Sequence, residues 1–312
     1  MITDSLGRSF KKLRISLTSG CNLACTYCVP QGNPVAKAPG RQGLGAKQFA
    51  ALVEKIHRIN PLDSVRLTGG EPLLYRELPY LTEAIADMGI EVGMTTNALL
   101  LKKHIATLYQ AGLRNVNISL DAADPVIFYR MTGSLKYEDV CQGIEMALQT
   151  GISVKLNAVI IRDVNENQIL PLLEYAGKKD IPVRFLELMA MGHLHSAYRD
   201  KVITEEAILK CITKSYRIFP FLRKAGATAR YWQTENHIRF GIISNHSQPF
   251  CSDCDRLRLD SRGNIYGCIS AGKGYSIVES TSDDISDKLK SALEQKQNTF
   301  TGSTMSMQYI GG

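Results

Sequence analysis

From residue 13 to about residue 189 the chain repeats one pattern, a short β-rich run followed by an amphipathic helical stretch. Candidate strands are Leu13–Thr18, Ser64–Thr68, Ile90–Thr96, Arg114–Leu120, Ile152–Ile161 and Ile181–Leu188. Between them, apolar residues recur at three and four over Ala46–Ile59, Leu78–Met88, Leu101–Ala111, Tyr137–Gln149 and Asn165–Lys178, which predicts helices. Six βα units in series predict an α/β fold whose parallel sheet curls into a partial (β/α)6 barrel. After Met189 the rhythm changes. A stretch with Gly and His (192–196) leads to one helix (Thr204–Lys214), short alternating segments such as Ile238–Ile243 and Leu257–Leu259, a polar helix (Asp283–Gln295) and a tail rich in Gly, Ser and Thr. We expect two regions, 1–190 and a smaller α+β region, 191–312.

The strands are two-faced, whereas parallel strands covered on both sides read as continuous apolar runs. Alternate positions hold Arg14, Ser16 and Thr18, then Arg66 and Thr68, Gly93 and Thr95, Asn117 and Ser119, and Lys155 and Asn157. The other parity holds Ile15, Leu17, Val65, Leu67, Ile118, Leu120, Val154 and Leu156. Helices must cover the apolar face, so the polar face is expected to line the barrel interior around a polar occupant. An open sheet with its polar face in water has the same periodicity.

Composition narrows the function. The 312 residues carry a net charge of +7 without a Lys/Arg-rich block, which suits an anionic small ligand at least as well as nucleic acid. No run of eighteen apolar residues occurs, and Asp4, Arg8 and Lys11 stand where a signal peptide needs an apolar stretch, so we expect a cytoplasmic protein without a membrane partner. Six of the eight cysteines form two tight triplets, which in a reducing compartment points to metal or redox chemistry.

Cys21, Cys25 and Cys28 follow the first strand with spacing CxxxCxxC. A cubane iron–sulfur cluster takes four thiolates, so three on one loop hold three irons and leave the fourth open to another ligand. Zinc sites draw on paired CxxC or on His, and no His lies near. This spacing at a strand end, with Gly69-Gly70-Glu71-Pro72 at the end of the next strand, resembles the radical S-adenosylmethionine (SAM) superfamily. Both motifs lie at strand C-termini, where β/α barrels gather their active sites. Cys251, Cys254 and Cys268 form a second triplet, running into a strand that carries Arg256 and Arg258, a pairing suited to a phosphate or carboxylate. Zinc remains a rival at that place.

Over nearly its whole length the chain is similar to the MoaA family of GTP 3′,8-cyclases, which begin molybdenum cofactor biosynthesis. Besides both triplets and GGEP, the likeness rests on Leu13-Arg-Ile-Ser, Thr95-Thr-Asn, Asn117-Ile-Ser-Leu-Asp, Lys155-Leu-Asn, Arg184-Phe-Leu-Glu-Leu-Met and the terminal Gly311-Gly312. The resemblance implies that Cys21, Cys25 and Cys28 hold a [4Fe-4S] cluster that binds SAM, with Tyr27, Gly70, Ser119 and Met189 contacting SAM. It implies a second [4Fe-4S] cluster on Cys251, Cys254 and Cys268, GTP contacts from Arg14, Arg66, Thr95, Lys155, Arg256 and Arg258, and a Gly311-Gly312 tail reaching into the site. Arg184 joins them only loosely, since its parity is opposite to that of Met189. No catalytic side chain is implied beyond the clusters and SAM. A 5′-deoxyadenosyl radical would take the ribose 3′ hydrogen, and the carbon radical would attack guanine C8.

The implied partners are a reductant such as a flavodoxin or ferredoxin and a downstream cyclic pyranopterin monophosphate synthase, with room for a homodimer and none for nucleic acid. Ala24, where many relatives have Arg, Ser64, where a basic residue is common, and a short stretch after Gly272 depart from the family pattern. Two other readings fit: a relative acting on a different nucleotide, RNA or peptide, and a zinc-bearing binding protein. Cys141 and Cys211 read as small core residues, His193 and His195 as solvated loop residues, and Tyr231 and Trp232 as packing groups.

Overall fold

The protein was analysed as a computed structural model that describes residues 2–30 and 43–311. Six strands run parallel in sequence order: β1 (Lys12–Ser16), β2 (Ser64–Thr68), β3 (Glu91–Thr96), β4 (Leu113–Ser119), β5 (Ser153–Ile160) and β6 (Val183–Glu187). The helices between them are α1 (Ala46–Ile59), α2 (Leu78–Ala86), α3 (Leu101–Gln110), α4 (Pro125–Thr132), α5 (Tyr137–Gln149) and α6 (Ile169–Lys178).

Helix α4 went unrecognised in the sequence although its signals are there. The Asp124 carboxylate accepts from the Val126 and Ile127 amides at 2.8 and 3.0 Å, Pro125 starts the helix, and Gly133 ends it at φ +68. Conversely, α6 starts at Ile169 and not at Asn165. The Asn165 side chain is engaged elsewhere, accepting from the Ile161 amide at 2.8 Å and donating to the Asp121 carbonyl at 2.8 Å.

The strand parity has the expected consequence. Ile15, Leu67, Ile118 and Leu156 are fully buried against the helix layer, where Phe49, Ile56, Leu81 and Ile85 meet them in one core. Removing such a side chain costs about 2–5 kcal/mol. The opposite face turns inward.

Residues after 190 extend this sheet at both edges. Strand β9 (Arg239–Ile243) pairs parallel to β6, and β8 (Arg230–Thr234) and β7 (Ile218–Pro220) follow antiparallel. At the other edge β10 (Arg256–Leu259) pairs parallel to β1, followed by β11 (Asn264–Tyr266) and β12 (Tyr275–Ser276). The twelve strands form one sheet with two ends, β12 and β7, so the barrel is partial. The remaining helices are α7 (Glu205–Thr213), α8 (Ser282–Glu294) and the single turn α9 (Met307–Ile310). Among the described residues no helix is long and apolar enough to cross a membrane.

Candidate active site

The loops after the parallel strands open on one cavity of about 270 Å³, lined by all six cysteines of the two triplets. The first triplet is held from two sides. On one side α4 accepts its backbone, with Ala24 N–H donating to the Thr132 carbonyl at 3.0 Å and Thr26 N–H to that of Met131 at 2.9 Å. On the other, Gly70 N–H donates to the Thr18 carbonyl at 2.6 Å, and a Cβ on Gly70 would run into the Gly20 carbonyl. Glycine is needed here for the close approach of two protein backbones.

The second triplet begins on a helical turn, Cys251–Asp253, whose Asp253 carboxylate takes a fork from Arg223 at 2.7 and 2.8 Å. Arg8, itself paired with Asp4, donates to the Cys251 carbonyl at 2.5 Å.

The thiols suit iron–sulfur clusters as a donor set. All eight cysteines are unbridged. Each triplet already offers an amide donor to a sulfur, Leu23 to Cys21 at 3.5 Å and Ser270 to Cys268 at 3.4 Å, and such donors stabilise cluster-bound thiolates. Among the described residues no three His, Cys, Asp or Glu side chains are gathered as ligands of one metal ion. Burial raises the Cys21 thiol to about 11 and Cys28 to about 12, so metal binding there must displace the thiol protons, which are released to solvent.

Tyr27, Gly70, Ser119 and Met189 all line the cavity. Behind them stand groups that the sequence did not single out. The Tyr27 hydroxyl donates to Asp121 at 2.9 Å, and Asp121 also accepts from the Val159 amide at 2.8 Å. Glu71 of the GGEP turn ties β2 to β3: its carboxylate accepts from Leu73 N–H at 3.1 Å, Thr96 hydroxyl at 2.6 Å and Asn97 N–H at 2.8 Å. Asn97 in turn donates to Asn22 at 2.7 Å, beside the Cys21 sulfur. The signal was present in Thr95-Thr-Asn, but only the fold shows that Thr96 and Asn97 serve the cysteine loop.

Burial outweighs these hydrogen bonds and lifts Glu71 from 4.5 to about 7. The folded chain therefore binds one more proton than the unfolded chain across that window, and this site's stabilisation is lost as pH rises through it. We expect Glu71→Gln to remove a pH-dependent loss on the order of 3 kcal/mol between pH about 4.5 and 7. Urea midpoints at three pH values check this, and an unchanged slope in the variant contradicts it.

Five guanidiniums lie close together at the floor, and four of them line the cavity. Arg14 is held well below its usual pKa, first by burial and then by Arg258, Arg256, Arg66 and Arg184. A guanidinium keeps its proton at any working pH, so this crowding is relieved by an anion. One buried Arg256 nitrogen has no partner among the described residues. Arg14, Thr95, Arg256 and Arg258 line the cavity, but Arg66 and Lys155 do not. Arg66 is turned to the Met94 carbonyl at 3.0 Å and Asn115 at 2.6 Å, and its charge lies within reach of Lys155. Arg184, held by Asn157 at 2.8 Å, does line it. The parity objection fails because β6 ends at Glu187, so the strand pleat does not govern Met189.

The tail enters the same space. Ser303 N–H donates to the Ala190 carbonyl at 2.9 Å, Met307 and Gln308 line the cavity, and Arg258 donates to the carbonyls of Ile310, at 3.1 Å, and Gly311. Gly312 lies outside the described residues. Ser64 sits at the far end of β2, in register with Lys12 and Glu91, and Ala24 lies on the cluster loop facing Gly133. Cys141 and Cys211 are half-buried, His193 is exposed, and Trp232 stacks on Phe240.

Comparison with known proteins agrees with this geometry. Residues 15–176 match the Radical SAM superfamily and residues 181–301 match Molybdenum Cofactor Synthesis C. The GTP 3′,8-cyclase of Staphylococcus epidermidis (strain ATCC 35984) is 36% identical over 338 residues, covering 100% of this chain and 99% of that protein. That of Staphylococcus aureus (strain MRSA252) is 36% identical over 337 residues, with the same coverage. Among solved structures, Streptococcus suis SuiB bound to S-adenosylmethionine aligns with a TM-score of 0.64 at 16% identity, over 94% of this chain and 67% of that one, a likeness of fold. The chain belongs to the radical SAM superfamily and, within it, to the family of the GTP 3′,8-cyclases.

Proposed function

We infer that this chain converts GTP to 3′,8-cyclo-7,8-dihydro-GTP, the first step of molybdenum cofactor biosynthesis, using SAM and two [4Fe-4S] clusters. The observation that carries the reading is one cavity lined by both cysteine triplets and floored by closely spaced guanidiniums, of which Arg256 and Arg258 are buried. Cys21, Cys25 and Cys28 hold the first cluster, and Cys251, Cys254 and Cys268 the second. Held there, the first cluster and SAM would supply a 5′-deoxyadenosyl radical able to take the ribose 3′ hydrogen; the new C3′–C8 bond would then need one further electron and one proton, drawn from the reductant and solvent, to reach the dihydro product.

Everything else is positioning by this chain. Tyr27, Gly70, Ser119 and Met189 shape the SAM side. Arg14, Thr95, Arg256 and Arg258, backed by Arg184 and by Arg66 and Lys155 beyond the cavity lining, neutralise the triphosphate where water is excluded. The tail through Gly311, fastened by Arg258, closes the substrate side. Holding the nucleotide at both ends matters because a carbon radical attacks whatever hydrogen is nearest. We divide the chain functionally at residue 190, with 1–190 serving the radical and 191–312 the substrate. A one-electron carrier such as a flavodoxin or ferredoxin supplies the reducing electron, a cyclic pyranopterin monophosphate synthase takes the product, the setting is cytoplasmic, and the fold leaves a homodimer open.

The test is an anaerobic assay of reconstituted protein with SAM, dithionite and GTP. Cyclised nucleotide alongside 5′-deoxyadenosine is the expected result. Formation of 5′-deoxyadenosine with GTP untouched overturns the substrate assignment.

A further inference from the structure

The two triplets sit in unlike electrostatic surroundings. Around the first stand the carboxyl groups of Asp121 and Glu71, and the side-chain donors beside its sulfurs are neutral, the Asn97 amide 3.8 Å from Cys21 and the Tyr27 hydroxyl beside Cys25. Around the second stand Arg256, Arg258 and Lys296. Lys296 places its Nζ 3.3 Å from the Cys254 sulfur. No sequence motif pointed to this residue, which lies 42 positions along the chain from that cysteine.

Its placement is built. Lys296 follows the end of α8, its amide donating to the Leu293 carbonyl at 2.9 Å. The last turn of α8 is pressed onto the segment leading to Cys268, so closely that a Cβ on Gly267 would run into the Ala292 carbonyl. The ammonium also lies over the Phe10 ring, 4.7 Å from its centre, which holds a cation without giving it a competing anion. A cation beyond a helix C-terminus is favoured by the carbonyls there.

We propose that Lys296 is a positioning residue of the second triplet, donating a charge-assisted hydrogen bond to the Cys254 sulfur that raises the reduction potential of the cluster held there. The physical reason is charge. A cluster gains negative charge on reduction, hydrogen bonds to its sulfurs set its potential, and a cationic donor stabilises the reduced form more than the oxidised one. The same asymmetry places the potential of the second cluster above that of the first. An electron delivered to the protein then rests on the substrate side unless SAM draws it to the other. This rests on the assignment of iron–sulfur clusters to both triplets.

The experiment isolates the second cluster by replacing Cys21, Cys25 and Cys28 with Ala in the full-length chain, and follows its reduction by potentiometric titration with electron paramagnetic resonance. With Lys296→Met we expect the reduction equilibrium to weaken about tenfold, a shift of about 59 mV to more negative potential for one electron. Lys296→Arg should restore most of it, which a merely space-filling role would not do. A potential unchanged in Lys296→Met overturns the proposal, as does loss of iron to the same extent in the Met and Arg variants. If the parent with Lys296 intact binds no iron–sulfur cluster at all, it is the assignment of the second cluster that fails, a result distinct from either.

Discussion

Replacing Cys251, Cys254 and Cys268 together with Ala should leave about four irons per chain in place of about eight, and should abolish cyclisation while SAM cleavage persists. The two halves of this outcome follow from the separate fastening of the triplets. The first loop hangs on α4 and on the Gly70 turn. The second is secured by Arg8 and Arg223, whose bonds go to the Cys251 carbonyl and to Asp253 and not to a sulfur, so the loop keeps its place when the thiols are gone. Iron and sulfide analysis with product chromatography reads both halves. Cyclised nucleotide formed at near the parent rate, or zinc in either triplet, would falsify the two-cluster reading.

The second large effect concerns Arg14, and its two readouts should move in opposite directions. Arg14 is half-buried beside four other guanidiniums, a concentration of like charge that costs stability until an anion arrives. Arg14→Met removes one charge and keeps an apolar stem, so the substrate-free protein should melt at or above the parent's temperature. The same change removes a cation from the site proposed for the triphosphate, so kcat/KM for GTP should fall at least about a hundredfold and the stabilisation by added GTP should shrink. A lower melting temperature with GTP stabilisation intact would mean that Arg14 is a structural residue. Binding sites that are strained until filled are a common reason for stability and activity to trade against each other.

Much of the architecture was legible because local patterns carry it. Helices α1 and α5 have the bounds that periodicity gives, and β2 does as well. The alternation Arg14, Ser16 against Ile15, Leu17 correctly separates inside from core, since successive side chains of a strand point to opposite faces. Reading failed where a side chain had a tertiary engagement. Asn165 looks like the start of a helix and is instead a tether to Asp121, and Arg184 was joined to the other cations only loosely on a parity that stops at Glu187.

The chain's order of residues was enough to establish a parallel βα series, two thiol triplets at strand ends and one polar face on the strands. Those are properties of segments a few residues long, governed by backbone sterics and by the spacing of side chains on one loop. Tertiary structure alone brought both triplets to one cavity, turned Arg66 and Lys155 away from its wall while admitting Arg184, and laid the tail under Arg258. These outcomes depend on pairing β1 with β10 and β6 with β9, contacts between distant parts of the chain. Sheet register and twist across such distances come from the packing of the whole core, which no local periodicity records.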